Sequence, residues 1–158
     1  MAKPESNKDE KLVAKNRRAL FDYDVSERYE AGLVLVGSEV KSMRAGKVDV
    51  SDAYVAIERG EAWLRQMFVA PFEQAHAYPH EPRRPRKLLL HAREVAEIDR
   101  ALGRGGYAVI PLRVYFKQGR LKIEVGVGVG KKKHDKRAAI AKHDAEREAR
   151  AAIRGASR

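Results

Sequence analysis

Tyr29-Glu-Ala-Gly-Leu-Val-Leu-Val-Gly-Ser-Glu-Val-Lys-Ser-Met-Arg-Ala-Gly46 is the stretch that decides the fold class. Its first half holds a short apolar run, residues 31–36, which reads as a buried strand. Ser38 then stands where a helix N-cap belongs, Glu39 to Arg44 reads as a short helix, and Gly46 reads as its stop. Downstream, Ala53-Tyr-Val-Ala-Ile57 and Ala62-Trp-Leu-Arg-Gln-Met67 flank a turn at residues 58–61 and predict a hairpin. Tyr107 to Phe116 and Arg120 to Val129 predict two more strands, with Pro111 marking an edge position or a bulge in the first. Residues 88–102 carry Val95, Ile98 and Leu102 at helical spacing, and Gly103 follows as a stop. Roughly five or six strands with one longer and one short helix predict a mainly β domain, a partly open β-barrel.

The barrel is bracketed by two segments of different character. Residues 1–15 carry charge and little apolar mass and are expected to be disordered, with the folded body spanning 16–130. Residues 131–158 hold ten Lys and Arg against four Asp and Glu, more than half of the chain's net +11. Alanines favour helix there, and Glu146 with Arg150 adds an i,i+4 pair. Ile140 and Ile153 are its only large apolar side chains, so no stripe exists to bury. The segment therefore reads as a basic tail, disordered when free and helical against a polyanion.

An excess of 33 basic over 22 acidic residues in 158 attracts polyanions: nucleic acid, an acidic protein surface or an anionic membrane. Arg17-Arg18, Lys41 with Arg44, and Arg83 to Lys87 are basic clusters separated in sequence. Tyr23, Tyr29, Tyr54, Tyr78, Tyr107, Tyr115 and Trp63 offer rings for the core or for base stacking. The absence of cysteine excludes disulfides, thiolate metal sites and a thiol nucleophile. No apolar run approaches the roughly 20 residues of a membrane span. The charged N-terminal dozen lacks a signal-peptide core, so a cytoplasmic protein is expected.

Catalytic signals are weak. His76 and His80 stand four apart, but Pro79 and Pro82 make that segment a loop without nearby carboxylates in ligand spacing. Gly126-Val-Gly-Val-Gly-Lys-Lys resembles a phosphate loop only superficially: Val125 and Lys132 occupy the positions that need Gly and Ser or Thr. Glycines alternating with valine read instead as a strand whose glycine face lies against another element. The expectation is a non-enzyme with no cofactor and no metal site.

Asn16-Arg-Arg-Ala-Leu-Phe-Asp-Tyr23, Tyr29-Glu-Ala-Gly32, Gly37-Ser-Glu-Val-Lys-Ser-Met-Arg-Ala-Gly-Lys47 and Ser51-Asp-Ala-Tyr-Val55 resemble the SsrA-binding protein (small protein B) family. Arg84-Pro-Arg-Lys-Leu-Leu-Leu-His91 and Gly130-Lys-Lys-Lys-His-Asp-Lys-Arg137 extend the resemblance, which runs over residues 16–137. It implies an oligonucleotide-binding-type barrel that binds the tRNA-like domain of transfer-messenger RNA (tmRNA) and brings it to ribosomes stalled on defective messages. The body stands in for a missing anticodon stem, and the tail enters the decoding site and messenger path. The implied partners are tmRNA, the stalled 70S ribosome at its small-subunit decoding site and mRNA channel, and aminoacylated tmRNA with the GTP-bound elongation factor. The chain itself is expected to act as a monomer, away from membranes.

Carried over by motif, Asn16, Arg17, Glu30, Lys41, Arg44, Lys87, Leu89 and His91 are the candidates for contacting RNA or shaping its site. Glu30 either accepts from a base amino group or 2′-OH, or holds a basic neighbour. Leu89 either packs on an unstacked base or ribose, or belongs to the core. In the tail, Lys131, Lys132, Lys133, Lys136 and Arg137 are implied phosphate contacts, and His134, beside Asp135, a stacking ring. One departure stands out: the family's tail often carries a tryptophan where this chain has Ala145.

Overall fold

A computed structural model describes residues 10–72, 80–131 and 133–156. Its first element is a strand, β1 (Glu10–Lys15), and helix α1 (Ala19–Asp22) leads into β2 (Tyr23–Leu33). Next come α2 (Gly37–Arg44), β3 (Val48–Asp49), the hairpin β4 (Tyr54–Glu58) and β5 (Glu61–Arg65), and β6 (Phe68–Val69). The chain continues through β7 (Arg86–Leu89), α3 (Ala92–Leu102), β8 (Tyr107–Lys117) and β9 (Arg120–Gly130) to α4 (Lys133–Ala156). Among the described residues seven strands form one sheet in the order β1-β8-β9-β2-β7-β5-β4, while β3 pairs with β6. The sheet curls until β4 lies against β8 without a ladder between them, as a partly open barrel requires.

The interior is filled by alternate strand residues, among them Ala31, Val55, Leu64, Leu88, Val114, Ile123 and Val125, all buried. Met43 from α2 and Ile98 from α3, neither with any exposed surface, join that core. Outside the sheet, α1 covers a smaller cluster of Ala19, Ile110 and Leu112.

Several expectations change in the folded chain. Order starts before Asn16: Glu10 to Lys15 pairs with β8 from Glu10↔Lys117 to Lys15↔Arg113, with Lys11 and Lys15 in solvent, Glu10 on Arg113, and the backbone bonded along the edge. The apolar run 31–36 is strand only to Leu33; Val34 and Val36 are 45% and 46% exposed. Ser38 does not cap α2. That helix starts two residues earlier, at Gly37, and Glu39 serves its N-terminus by accepting the Val36 N–H at 3.0 Å. Residues 88 and 89 end a strand rather than opening a helix, and α3 begins at Ala92. Helical spacing in that run reflects only its second half, since Leu88 points inward from β7 and Leu89 outward. The tail forms one helix, α4, from Lys133 to Ala156, consistent with its alanine content.

Pro111 marks a bulge. The β8–β9 register shifts between Pro111 and Arg113, and Asn16 fills in by donating its backbone N–H to Leu112 O at 2.8 Å and its side-chain amide to Pro111 O at 3.0 Å. The two hairpin turns, Arg59-Gly60 and Gln118-Gly119, each place two successive residues at positive φ, the geometry that matches strand twist.

The glycine face of β9 is also accounted for. A Cβ on Gly126 would stand 2.9 Å from Val25 Cγ1, and one on Gly128 would stand 2.7 Å from the backbone oxygen of Asp24. These glycines admit strand β2, not a phosphate. Gly128→Ala should therefore cost about 1–3 kcal/mol, because backbone cannot yield as a side chain does. Gly130→Ala, with nothing within 4 Å of the new atom, should stay within about 0.5 kcal/mol of the parent. Denaturant midpoints of the two variants make the comparison.

Candidate nucleic-acid interface

A buried carboxylate organises one end of the barrel. Glu39 has no exposed surface and accepts from Arg86 Nε and from the Arg84 guanidinium, whose Nε lies 3.1 Å away. Arg86, equally buried, spends its other nitrogens on Met67 O at 2.7 Å, Arg84 O at 3.1 Å and Pro82 O at 3.1 Å. Burial alone would raise the Glu39 carboxyl, but Arg84, the Val36 N–H and Arg86 together hold it below the usual carboxylate range. Burial depresses Arg86 more than Glu39 supports it. Thus the basic run 83–87 is not one RNA-facing cluster: Arg86 is internal, Arg84 is half-buried on Glu39, and only Arg83 and Lys87 lean outward.

This lock joins α2, which presents Lys41 and Arg44, to β7, which presents Lys87 and Leu89. Lys41 sits over the Phe72 ring at 5.4 Å and Arg44 over Phe116 at 5.4 Å. Neither forms an ion pair among the described residues, so both charges remain available to phosphate. Lys87 is half-buried and faces Glu61 at 3.3 Å. Leu89 is 55% exposed, against 2% for Leu88, and covers Gly32 across the β2–β7 ladder. It is a surface leucine, not a core one. His91 is exposed at the start of α3, where its backbone N–H meets Glu94 at 3.1 Å.

Glu30 is on the outer sheet face, where it accepts from the Tyr115 hydroxyl and lies 3.4 Å from Lys117 Nζ. Burial opposes its charge, yet Tyr115 and Lys117 prevail and hold its carboxyl below the ordinary range. Its partner Tyr115 is pushed up, by burial first and then by this carboxylate. Arg113 bridges Glu10 at 3.0 Å and Glu124 at 3.4 Å on the same face, and Arg28 adds Glu124 at 3.3 Å. Most charge on that face is thereby matched internally. Glu30 holds basic neighbours there.

Asn16 and Arg17 belong elsewhere. Asn16 is 8% exposed and commits its amide to the bulge, so it shapes the body rather than presenting a donor to solvent. Arg17 is exposed beside α1, where it shares a groove of about 430 Å³ with Phe21, Ile140 and His143. The tail is rooted at the same place: Lys131 donates from N to Asp22 O at 2.8 Å and from Nζ to Leu20 O at 3.0 Å, while Lys136 pairs with Asp22 at 3.4 Å. Arg137 is exposed, and Lys133, His134 and Asp135 fall in the first turn of α4. His76, Tyr78, Lys132 and residues 1–9 lie outside the described residues. The register puts Phe116 near the β8–β9 turn and Tyr107 opposite Val129 at the other end, beside the tail root. Nine strand steps separate them, about 30 Å.

His80 is a structural histidine. It is 8% exposed, with Nδ1 2.8 Å from Ser38 Oγ and Nε2 3.0 Å from Val69 O. Among the described residues no cluster of three or more His, Cys, Asp or Glu is placed to hold a metal ion, and no helix is long and apolar enough to cross a membrane. The sequence reading missed Glu39, Arg86, Phe116 and Lys117. A lone acid inside a basic stretch was the available signal for Glu39; Phe116 and Lys117 had none, since only the tertiary fold brings them to Arg44 and Glu30.

The family profile described as SmpB protein matches residues 13–155. The chain belongs to the SmpB protein family. An SsrA-binding protein of Desulforudis audaxviator is 52% identical over 146 residues, covering 92% of this chain and 95% of the relative. One from Bacillus pumilus is 49% identical over 144 residues, covering 91% and 92%. A solved chain described under "tmRNA-SmpB: a journey to the center of the bacterial ribosome" superposes with a TM-score of 0.65 at 40% identity, covering 80% of this chain and 93% of that one. SmpB membership agrees with a barrel of the oligonucleotide-binding type.

Proposed function

We propose that this chain binds the tRNA-like domain of tmRNA and delivers it to stalled ribosomes for trans-translation. The observation that carries the reading is its near full-length relation to proteins named SsrA-binding protein. The unpaired Lys41 and Arg44 and the outward Leu89 support it at one end of the barrel, and the basic tail supports it at the other. The body stands in for an anticodon stem. Lys131, Lys132, Lys133, Lys136 and Arg137 neutralise ribosomal RNA phosphates in the decoding site and messenger path, and His134 stacks there. With Ile140 and Ile153 as its only large apolar side chains, the tail helix has little face to bury and is stabilised against that RNA. Aminoacylated tmRNA arrives with the GTP-bound elongation factor, and the chain acts as a cytoplasmic monomer that catalyses no reaction itself.

Binding of the full-length chain to tmRNA, with excess bulk tRNA at physiological salt, tests this reading. Retained binding is the expected result; loss to the competitor would leave a general polyanion binder. The log–log salt slope should be about −0.7 to −0.9 per phosphate neutralised.

A further inference from the structure

A slot of about 290 Å³ opens between β1, α2 and the β8–β9 turn. It is lined by Lys11, Leu12, Met43, Arg44, Phe116 and Gly119, with no acidic residue in its wall among the described residues. Its size is at the lower end of small-molecule sites, about 300–1,000 Å³. Two features of the slot are unexplained by folding. Leu12 is 56% exposed although the same strand packs Val13 and Ala14 against the core. Arg44 lies over the Phe116 ring and has no hydrogen bond or carboxylate partner among the described residues.

We infer that this slot takes one unstacked nucleobase of the bound RNA, laid on the Arg44 guanidinium with Leu12 against its edge. A guanidinium is planar and weakly hydrated, so a base can stack on it as on an aromatic ring. Phe116 sets the plane in advance, which removes the entropy cost of ordering a long side chain on binding. Met43, fully buried, gives the slot a fixed apolar floor. Lys11 at the rim is placed for the phosphate joined to that base. The occupant is nucleic acid because a basic rim around an apolar plane fits an anionic chain carrying flat rings. The inference rests on the RNA-binding reading above.

Arg44→Lys separates stacking from charge. The full-length variant keeps its cation and loses its plane, so tmRNA affinity should fall about tenfold with an unchanged salt slope. Leu12→Ala, at a site already open to solvent, should weaken binding about fivefold without moving the thermal midpoint. In tmRNA carrying 2-aminopurine at single unpaired positions of the tRNA-like domain, one position should change fluorescence on the parent and not on Arg44→Lys. If Arg44→Lys binds as the parent does, while Arg44→Gln loses affinity and about one unit of salt slope, then Arg44 touches phosphate only and the slot assignment falls. A parent chain that does not bind tmRNA overturns the proposed function and the slot together.

Discussion

Glu39→Ala should lower the unfolding free energy by about 3–5 kcal/mol, because it leaves Arg86 charged and buried without its counterion. Among the described residues no other carboxylate forms an ion pair with Arg86; Glu81 acts on it only through space. Arg86 is fully enclosed and its remaining donors already meet carbonyls of Met67, Arg84 and Pro82. The same substitution removes the acceptor for the Val36 N–H at the start of α2. Denaturant unfolding at unchanged m-value checks the magnitude; a loss under about 1 kcal/mol, the scale of an exposed pair, would show that water reaches Arg86. The pH dependence has a definite sign. The Glu39 carboxyl is lowered in the folded chain, so its stabilisation is fully present above the unfolded carboxylate value and is lost as pH falls through the folded one. Thermal midpoints of the parent and Glu39→Gln should converge in acid and separate toward neutrality.

Removing residues 131–158 should abolish tagging of incomplete products in a reconstituted translation system while weakening tmRNA binding by less than about tenfold. The deletion takes away ten basic residues, yet leaves α2, β7 and the Glu39 lock untouched. What affinity is lost should be the salt-sensitive part, since long-range attraction by a basic tail carries no base readout. A body that no longer discriminates tmRNA from bulk tRNA would overturn the division between a binding end and a tail end. The deletion also strips Lys131 and Lys136 from Asp22 and Leu20, so the circular dichroism of the truncated body should be compared with the parent's before rescue is read.

Residues 107–130 show how far pattern alone reaches. The apolar runs predict two strands there, Lys117-Gln-Gly-Arg120 predicts their turn, and Pro111 predicts an edge position or a bulge; the two strands, the turn and a bulge are present in the fold. The alternation of Gly126 and Gly128 with valine likewise predicts a packed glycine face, because a missing Cβ is a local property readable in one dimension. Where one pattern served two elements, reading failed. Residues 86–102 contain a strand and a helix separated by two residues, and the shared leucines fit either. The N-terminal strand was illegible for the opposite reason: an edge strand with only Val13 and Ala14 packed inward is held largely by backbone bonds to β8, and those leave no side-chain pattern to read.

By itself, then, the sequence determined the barrel's central strands, the basic tail, the family resemblance and the surplus charge that makes RNA the fitting partner. These depend on local periodicity, composition and motif. The tertiary structure alone decided which charges are free. Arg84 and Arg86 stand two and five residues from Pro82 and Glu81 on the same basic run as Lys87, yet the fold turns them onto Glu39 and leaves Lys41 and Arg44 in solvent. The reason is physical: whether a charge can meet a phosphate depends on what desolvates and pairs it, and those groups come from elements more than forty residues away.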